Sequence, residues 1–118
     1  PLQQSTRRSQ ERESEAMEEA VRSRREATEN QLSSELAENV SALIAARQLE
    51  ALASDALLPQ AELTFKSALS GYEAGKVDFA TLLDAQRQIR QARQSLIKAQ
   101  SESLTRLADI ERLIGEDL

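Results

Sequence analysis

The sequence contains no cysteine, no histidine and no tryptophan, and its 118 residues include one tyrosine and two phenylalanines. Without thiols or imidazoles, the chain has no disulfides and lacks the side chains that most zinc sites and many proton-transfer catalysts use. The few aromatic residues argue against a thick globular core and against stacking on nucleic-acid bases. We therefore expect neither an enzyme, nor a cofactor, nor a nucleic-acid partner.

Glycine and proline are also scarce, at three and two residues, whereas Gln, Glu, Arg, Ala, Leu and Ser dominate. This composition is typical of long helices. Charged residues of both signs make up 30% of the chain, and the net charge is −5. No apolar run approaches the roughly 18 residues of a membrane-spanning helix, and no signal peptide is visible. The abrupt start at Pro1 suggests a fragment of a longer protein.

The first part of the chain, residues 3–31, is highly polar. Opposite charges recur there at helical spacing, in the pairs Arg7/Glu11, Glu18/Arg22, Arg22/Glu26 and Arg25/Glu29. Each such pair stabilises a helix by roughly 0.2–0.5 kcal/mol. The pattern predicts a solvated helix without a partner, and disorder is the alternative.

An apolar stripe with steps of mostly three and four begins at Leu32, which indicates an amphipathic helix. Its members are Leu32, Leu36, Val40, Leu43, Leu49, Leu52, Ala56, Phe65, Leu69 and Tyr72. Pro59 interrupts this helix, but the periodicity resumes on both sides. Because a helical proline loses one hydrogen bond and crowds the preceding turn, we predict a kink rather than a stop in a helix over 3–73.

Three local signals predict a tight turn over 74–78. Gly75 suits a helix C-terminus with positive φ, and Asp78 suits the N-cap of the next helix. Val77 and Leu82 occupy the two positions of a hydrophobic staple. The chain therefore reverses direction here.

The second helix is predicted over 79–114, with Gly115 as its end. Its heptads form three columns: Leu82, Ile89, Leu96, Ser103 and Ile110; Gln86, Arg93, Gln100, Leu107 and Ile114; and Ala85, Ala92 and Ala99. The alanines allow a neighbouring helix to approach closely. Such a helix fits either a wall with neighbours on two sides and water on a third, or an ordinary bundle.

The sequence thus predicts an all-α protein, a long antiparallel coiled-coil hairpin. Folding back at Gly75 brings Ile114 opposite about Leu36, at 1.5 Å of rise per residue. On this prediction the polar residues before Leu32 lie beyond the second helix.

Four stretches resemble one family: LPQAE at 58–62, YEAGKVDF at 72–79, LLDAQR at 82–87 and LADIERLIG at 107–115. They are similar to the C-terminal helical hairpin of TolC-like outer-membrane efflux proteins, in the branch that works with heavy-metal and cation pumps. Residues 1–12 are similar to the point where that family leaves its second β-hairpin for a long periplasmic helix. The resemblance covers essentially the whole chain, and the tip motifs carry its specificity.

The resemblance implies a homotrimer in the outer membrane of a Gram-negative bacterium, with a β-barrel and a long periplasmic α-barrel. Residues 1–118 would be the periplasmic hairpin of the second repeat, without the barrel strands and without a membrane span of their own. The function implied is efflux, with metal cations as cargo. The implied partners are a periplasmic adaptor protein and an inner-membrane pump.

The same resemblance assigns roles to the turn and its surroundings. The tip, where the adaptor docks, comprises Tyr72, Ala74, Gly75, Lys76, Val77 and Asp78. Tyr72 matches a tyrosine that holds the closed state, and Asp84 matches an acid that forms a ring in the duct gate. Relatives carry a further acid at the position of Thr81. They carry a basic residue at the position of Val77, and here Lys76 would take the place of that basic residue.

Simpler interpretations remain for these residues: Tyr72 as a packing residue, Asp78 as an N-cap and Asp84 as a solvated charge. We predict no specific metal site, because no loop gathers several carboxylates. Two other functions are open, the hairpin of a periplasmic adaptor and a coiled-coil interaction module. An adaptor hairpin would carry an R-x-x-x-L-x-x-x-x-x-x-S tip motif, which is missing here.

Overall fold

A computed structural model describes residues 1–116, and within that range every element is helical. Helix α1 spans Leu2–Leu52, a π-helical turn spans Ala53–Leu57, α2 spans Leu58–Glu73 and α3 spans Phe79–Glu116. The predicted all-α class is confirmed. The part of the domain prediction that covers residues 117 and 118 lies outside the described residues.

The chain divides into two compact units, residues 1–37 and 38–118. The first unit is the polar part of α1, where every residue from 1 to 31 is exposed. This segment is helical, as predicted. Of the four predicted charge pairs, one lies within ion-pair distance among the described residues: Arg25 Nε is 3.6 Å from Glu29 Oε1.

The second unit is the hairpin, and its seam is made of alanine. Four alanines before the turn and three after it are between 1% and 8% exposed: Ala46, Ala53, Ala61, Ala68, Ala85, Ala92 and Ala99. Small side chains at such positions let two helix backbones approach closely, so the seam gains packing rather than large buried side chains. The three alanines of the predicted α3 column are therefore buried by the chain's own hairpin packing.

The large apolar residues of the predicted stripe lie only partly in this seam. Leu43 and Phe65 are half-buried beside the alanines, whereas Leu49 and Leu52 are 58% and 50% exposed. The predicted apolar stripe is therefore helical but largely exposed between residues 49 and 56. Alanine and leucine both count as apolar in the sequence pattern, but the fully buried positions before the turn are alanines.

The spacing of the buried alanines matches the position of the π-helical turn. The steps from Ala46 to Ala53 and from Ala61 to Ala68 are seven residues, but the step from Ala53 to Ala61 is eight. The π turn lies inside that long step, and the Leu58 amide donates to the Ala53 carbonyl five residues earlier. One extra residue is thus absorbed without rotating the following helix out of the seam.

Pro59 follows the π turn directly, in the first turn of α2. A proline is tolerated at the start of a helix because the amide hydrogen it lacks would have no partner there. The chain stays helical on both sides of Pro59, as the periodicity predicted. The feature that interrupts the α-helix is the π turn before the proline.

Near the π turn, two polar residues stand at heptad positions of the seam that are otherwise apolar. Glu50 follows Leu43 by seven residues and is half-buried, and Ser103 is 9% exposed in the column of Leu96 and Ile110. The Ser103 hydroxyl is buried without a hydrogen-bond partner among the described residues. Both residues line one groove of about 650 Å³ on the side of the π turn. At the height of Glu50 and Ser103 the seam is therefore polar, and the Ser103 hydroxyl there lacks a hydrogen-bond partner among the described residues.

A polar cluster joins the two helices far from the turn. Arg106 Nη1 donates to Asn39 Oδ1 at 3.0 Å, and Arg106 Nε lies 2.7 Å from Glu102 Oε1. The hydrogen bond and charge of Glu102 raise the pKa of Arg106 above its ordinary value. Beyond this cluster, Leu113 is 4% exposed. Helix α3 continues through Gly115 to Glu116, so the prediction that Gly115 ends the helix is wrong.

Among the described residues, no helix is both long enough and apolar enough to cross a membrane.

Candidate functional site

The turn between α2 and α3 begins with a Schellman motif. Gly75 has φ of 71°, the left-handed conformation that the sequence predicted for it. The Lys76 amide donates to the Gly71 carbonyl at 2.8 Å, and the Gly75 amide donates to the Tyr72 carbonyl at 2.9 Å. These are the two hydrogen bonds that define the motif, and they satisfy carbonyls that the end of α2 leaves unpaired.

Asp78 caps the next helix. Its Oδ1 accepts hydrogen bonds from the Thr81 amide at 2.9 Å and from the Thr81 hydroxyl at 2.7 Å. The Thr81 side-chain bond, followed by the backbone bond, holds the pKa of the Asp78 carboxyl below its ordinary value. The predicted N-cap is confirmed. Thr81, at the position where the resemblance implies an acid, serves this cap.

A contact that the sequence prediction missed closes the inside of the turn. A Cβ atom added to Gly71 would lie 3.2 and 3.3 Å from the two Val77 methyl groups. Val77 is half-buried there, and its amide donates to the Gly71 carbonyl at 3.3 Å. The absence of a side chain at Gly71 therefore makes room for Val77. The signal available in the sequence was a glycine four residues before the turn glycine.

Two aromatic rings flank the turn. The Tyr72 and Phe79 ring centroids are 5.9 Å apart, with the planes inclined at 55°. The two residues are 43% and 55% exposed. The Tyr72 hydroxyl forms no hydrogen bond within the described part of the chain. The pair braces the end of the hairpin and presents an aromatic surface to the solvent.

The remaining predicted tip residues lie together on the exposed end of the hairpin. Ala74, Gly75, Lys76 and Asp78 are exposed, and Val77 alone of the turn residues is half-buried. An added Gly75 Cβ would meet no atom within 4 Å. The turn thus offers a rigid backbone, two small residues and one lysine to the solvent, which suits it to bind another protein.

Asp84 lies on α3, six residues after the N-cap, and is exposed. Its Oδ2 is 3.3 Å from Gln88 Nε2. No hydrogen bond or ion pair joins it to a tip residue among the described residues. Within one chain it is a solvated carboxylate, so the structure does not bring it together with Tyr72.

No group of three or more His, Cys, Asp or Glu side chains among the described residues is placed to hold a metal ion. The largest grooves given by the described residues are open to solvent, unlike the enclosed cavity typical of a small-molecule site. The candidate site is the exposed turn at the end of the hairpin.

The fold is a helical hairpin whose exposed end is held by the Schellman hydrogen bonds and the Asp78 cap. Comparison with known proteins gives the family. The sequence model of the outer membrane efflux protein family matches residues 1–116. The chain therefore belongs to the outer membrane efflux protein family, and that family acts in transport.

Among individual relatives, the chain is 30% identical over 102 residues to the cobalt-zinc-cadmium resistance protein CzcC of Cupriavidus metallidurans. The match covers 81% of this chain and 24% of that relative. The chain thus spans about a quarter of the length of the curated relative that it matches. No solved structure matches it.

Proposed function

We propose that the chain is a periplasmic α-barrel hairpin of a trimeric outer-membrane efflux channel, which works with a periplasmic adaptor and an inner-membrane pump. The observation that carries this proposal is the family match along residues 1–116 of a chain that folds as a hairpin. The cargo we propose is a metal cation, because the relative with 30% identity is named for cobalt, zinc and cadmium resistance.

In this proposal the adaptor docks on the tip residues Tyr72, Ala74, Gly75, Lys76, Val77 and Asp78. Two observations support that role. The turn is held by four backbone hydrogen bonds of 2.8–3.3 Å, so little conformational entropy is lost on binding. Ala74, Gly75 and Lys76 are exposed, which leaves the backbone open to close approach.

The gate is proposed at Tyr72 and Asp84. Tyr72 is 43% exposed and its hydroxyl makes no hydrogen bond among the described residues, so it is available to a neighbouring protomer. Asp84 repeats around the threefold axis as a ring of carboxylates that attracts cations. Adaptor binding at the tip shifts the population of the channel from closed to open.

Docking is tested in the full-length channel with its adaptor. Lys76→Glu and Ala74→Asp place charge on the tip without altering the Schellman hydrogen bonds. We expect both to abolish site-specific cross-linking to the adaptor and to lower cell survival in zinc, cobalt or cadmium. Lys66→Glu, on an exposed position of α2, is the control and should behave as wild type. Unchanged cross-linking in both tip variants would contradict docking here.

The gate is tested by single-channel conductance of the full-length trimer carrying Asp84→Ala. We expect weaker cation selectivity and more frequent opening in the absence of adaptor. Glu62→Ala removes an exposed acid from α2 and serves as the control. If selectivity and resting closure both stay at wild-type values, Asp84 has no part in the gate.

A further inference from the structure

The polar groove beside the π turn holds a buried hydroxyl without a partner. This π-turn groove lies between residues 47–55 and residues 100–107, and its volume is about 650 Å³. Ser103 lines the groove and is 9% exposed, and its hydroxyl has no hydrogen-bond partner among the described residues. Because an unsatisfied buried hydroxyl costs free energy, the groove favours a ligand that forms a hydrogen bond there.

Two carboxylates line the same groove. Glu50 is half-buried and Asp55 is exposed, and neither takes part in an ion pair within residues 1–116. The Ser54 hydroxyl donates to Asp55 Oδ1 at 2.9 Å, whereas Glu50 makes no hydrogen bond in this part of the chain. Arg47 also lines the groove, is exposed and pairs with neither acid. Two carboxylates and one guanidinium leave the groove with a net negative charge, which favours a cationic ligand.

One edge of the π-turn groove is apolar. Leu104 is 69% exposed and Leu107 is half-buried, and both belong to α3. A ligand that fits the whole groove therefore combines an aliphatic part with a cationic hydrogen-bond donor. An arginine side chain has both, because its methylene stem packs on apolar surface while its planar guanidinium donates several hydrogen bonds.

We propose that the π-turn groove binds the guanidinium of an arginine on a neighbouring helix of the assembled channel. The identity of the neighbour rests on the proposed function, in which hairpins lie side by side in an α-barrel wall. The guanidinium donates to the Glu50 carboxylate and to the Ser103 hydroxyl, which rotation about χ1 turns towards the groove. The methylene stem covers Leu107.

A metal ion fits this groove less well. Among the described residues, no three His, Cys, Asp or Glu side chains gather to hold one. A hard cation such as Ca²⁺ takes about six to eight oxygen ligands. A guanidinium is oriented by fewer acceptors, because its N–H groups point in fixed directions.

The ligand class is tested by NMR titration of the 118-residue chain with n-butylguanidinium, which reproduces the arginine side chain. We expect saturable shifts confined to residues 47–55 and 100–107. Two matched probes separate charge from shape. The probe n-butylurea has the same shape without the charge, and magnesium chloride supplies a cation without N–H donors. Neither should give saturable shifts at these residues.

Variants of the chain assign the contacts. Glu50→Gln and Ser103→Ala should each weaken n-butylguanidinium binding roughly two- to fivefold, since each removes one acceptor. Arg47→Gln should strengthen it, because a like charge is removed. Glu62→Gln and Ser101→Ala change exposed positions outside the groove and should leave binding as in wild type.

The source of the guanidinium is tested in the full-length channel. Removal of the Ser103 hydroxyl relieves an unsatisfied group in the isolated chain but removes an acceptor of the neighbour's arginine in the assembly. Relative to Ser101→Ala, Ser103→Ala should therefore raise the melting temperature of the isolated chain and lower that of the trimer. Circular dichroism measures both transitions.

The absence of saturable shifts with n-butylguanidinium would overturn the proposal, as would equal shifts with n-butylurea or magnesium. A trimer that Ser103→Ala stabilises as it does the isolated chain would overturn the neighbouring helix as the source. The titration uses the chain alone, so its result is independent of the adaptor and conductance experiments. Failure of those experiments would remove the proposed efflux role and leave the guanidinium site in place.

Discussion

At Gly75, the effect of backbone conformation can be tested without a change in side-chain packing. Its φ of 71° disfavours any residue with a Cβ, yet an added Cβ would meet no atom within 4 Å. A substitution there therefore tests the backbone alone.

We expect Gly75→Ala to lower the free energy of unfolding by about 1–2 kcal/mol, the cost of a left-handed residue. Gly75→Asn should cost less, because asparagine adopts this conformation more readily. Chemical denaturation of the isolated chain measures both. Equal losses in the two variants would show that something other than backbone strain is responsible.

Asp78 contributes stability that depends on pH. Its hydrogen bonds from Thr81 lower its pKa in the folded chain below the ordinary value of 3.8. The ionised carboxylate therefore stabilises the folded state above pH 3.8, and this contribution is lost as the pH falls through the lowered folded-state pKa.

Asp78→Asn keeps a capping oxygen but does not titrate. We expect wild type to melt at a higher temperature than this variant at pH 7, and the gap to narrow as the pH falls below 3.8. Thermal unfolding over a pH series follows the gap. A gap that stays constant down to pH 2 would mean that the cap acts without its charge.

Ser103 is the least satisfied residue of the seam. Its hydroxyl is buried without a hydrogen-bond partner among the described residues, in a column that is otherwise apolar. Ser103→Ala should raise the free energy of unfolding by about 1 kcal/mol, since an unsatisfied buried polar group is removed. Ser101→Ala, at an exposed position of the same helix, accounts for the helix propensity of alanine. A gain no larger than that of Ser101→Ala would show that water satisfies the hydroxyl.

At the scale of the element, the π turn has two candidate causes that lie close together. One is the eight-residue step between Ala53 and Ala61, and the other is Pro59, whose ring would clash with the carbonyl four residues earlier in a regular α-helix. The two causes predict different outcomes for two changes.

Deleting Asp55 restores a seven-residue step, and we expect the π turn to become regular α-helix. Pro59→Ala should keep the π turn, because the extra residue remains, and should raise stability by less than the roughly 3 kcal/mol of a helix-interior proline. Crystal structures or backbone NMR of the two variants show which helix forms. A π turn that disappears in Pro59→Ala would assign it to the proline instead.

At the scale of the whole molecule, the two units differ in what stabilises them. Residues 1–31 are all exposed, whereas the buried alanines and the Asn39–Arg106 hydrogen bond all belong to the unit 38–118. A chain that begins at Glu38 should therefore melt at nearly the same temperature as the full chain.

The opposite truncation provides the control for that experiment. A chain that ends at Leu104 loses Arg106 and the buried Leu113, and its melting temperature should fall clearly. Circular dichroism gives both transitions. A large loss of stability on removing residues 1–37 would show that this helical segment supports the hairpin.

The turn and the all-α class follow from the sequence alone. Gly75 and Asp78 act through hydrogen bonds that reach no more than a few residues, so their effect is local and does not depend on how the rest of the chain packs. The same holds for the solvated helix before Leu32, whose polar composition leaves nothing to bury. The two tip motifs also carried the resemblance that the family comparison confirmed.

Only the tertiary structure decided which residues face one another. A helical pattern in the sequence identifies apolar positions but not which of them contact the other helix. In the folded chain the alanines lie in the seam, whereas Leu49 and Leu52 lie on the surface. The π turn changes the phase of the helix by one residue, and with that change Ala61 and Ala68 remain buried in the seam with α3. The close fit of Val77 to Gly71 likewise exists only once the turn has closed, since it joins two residues through space.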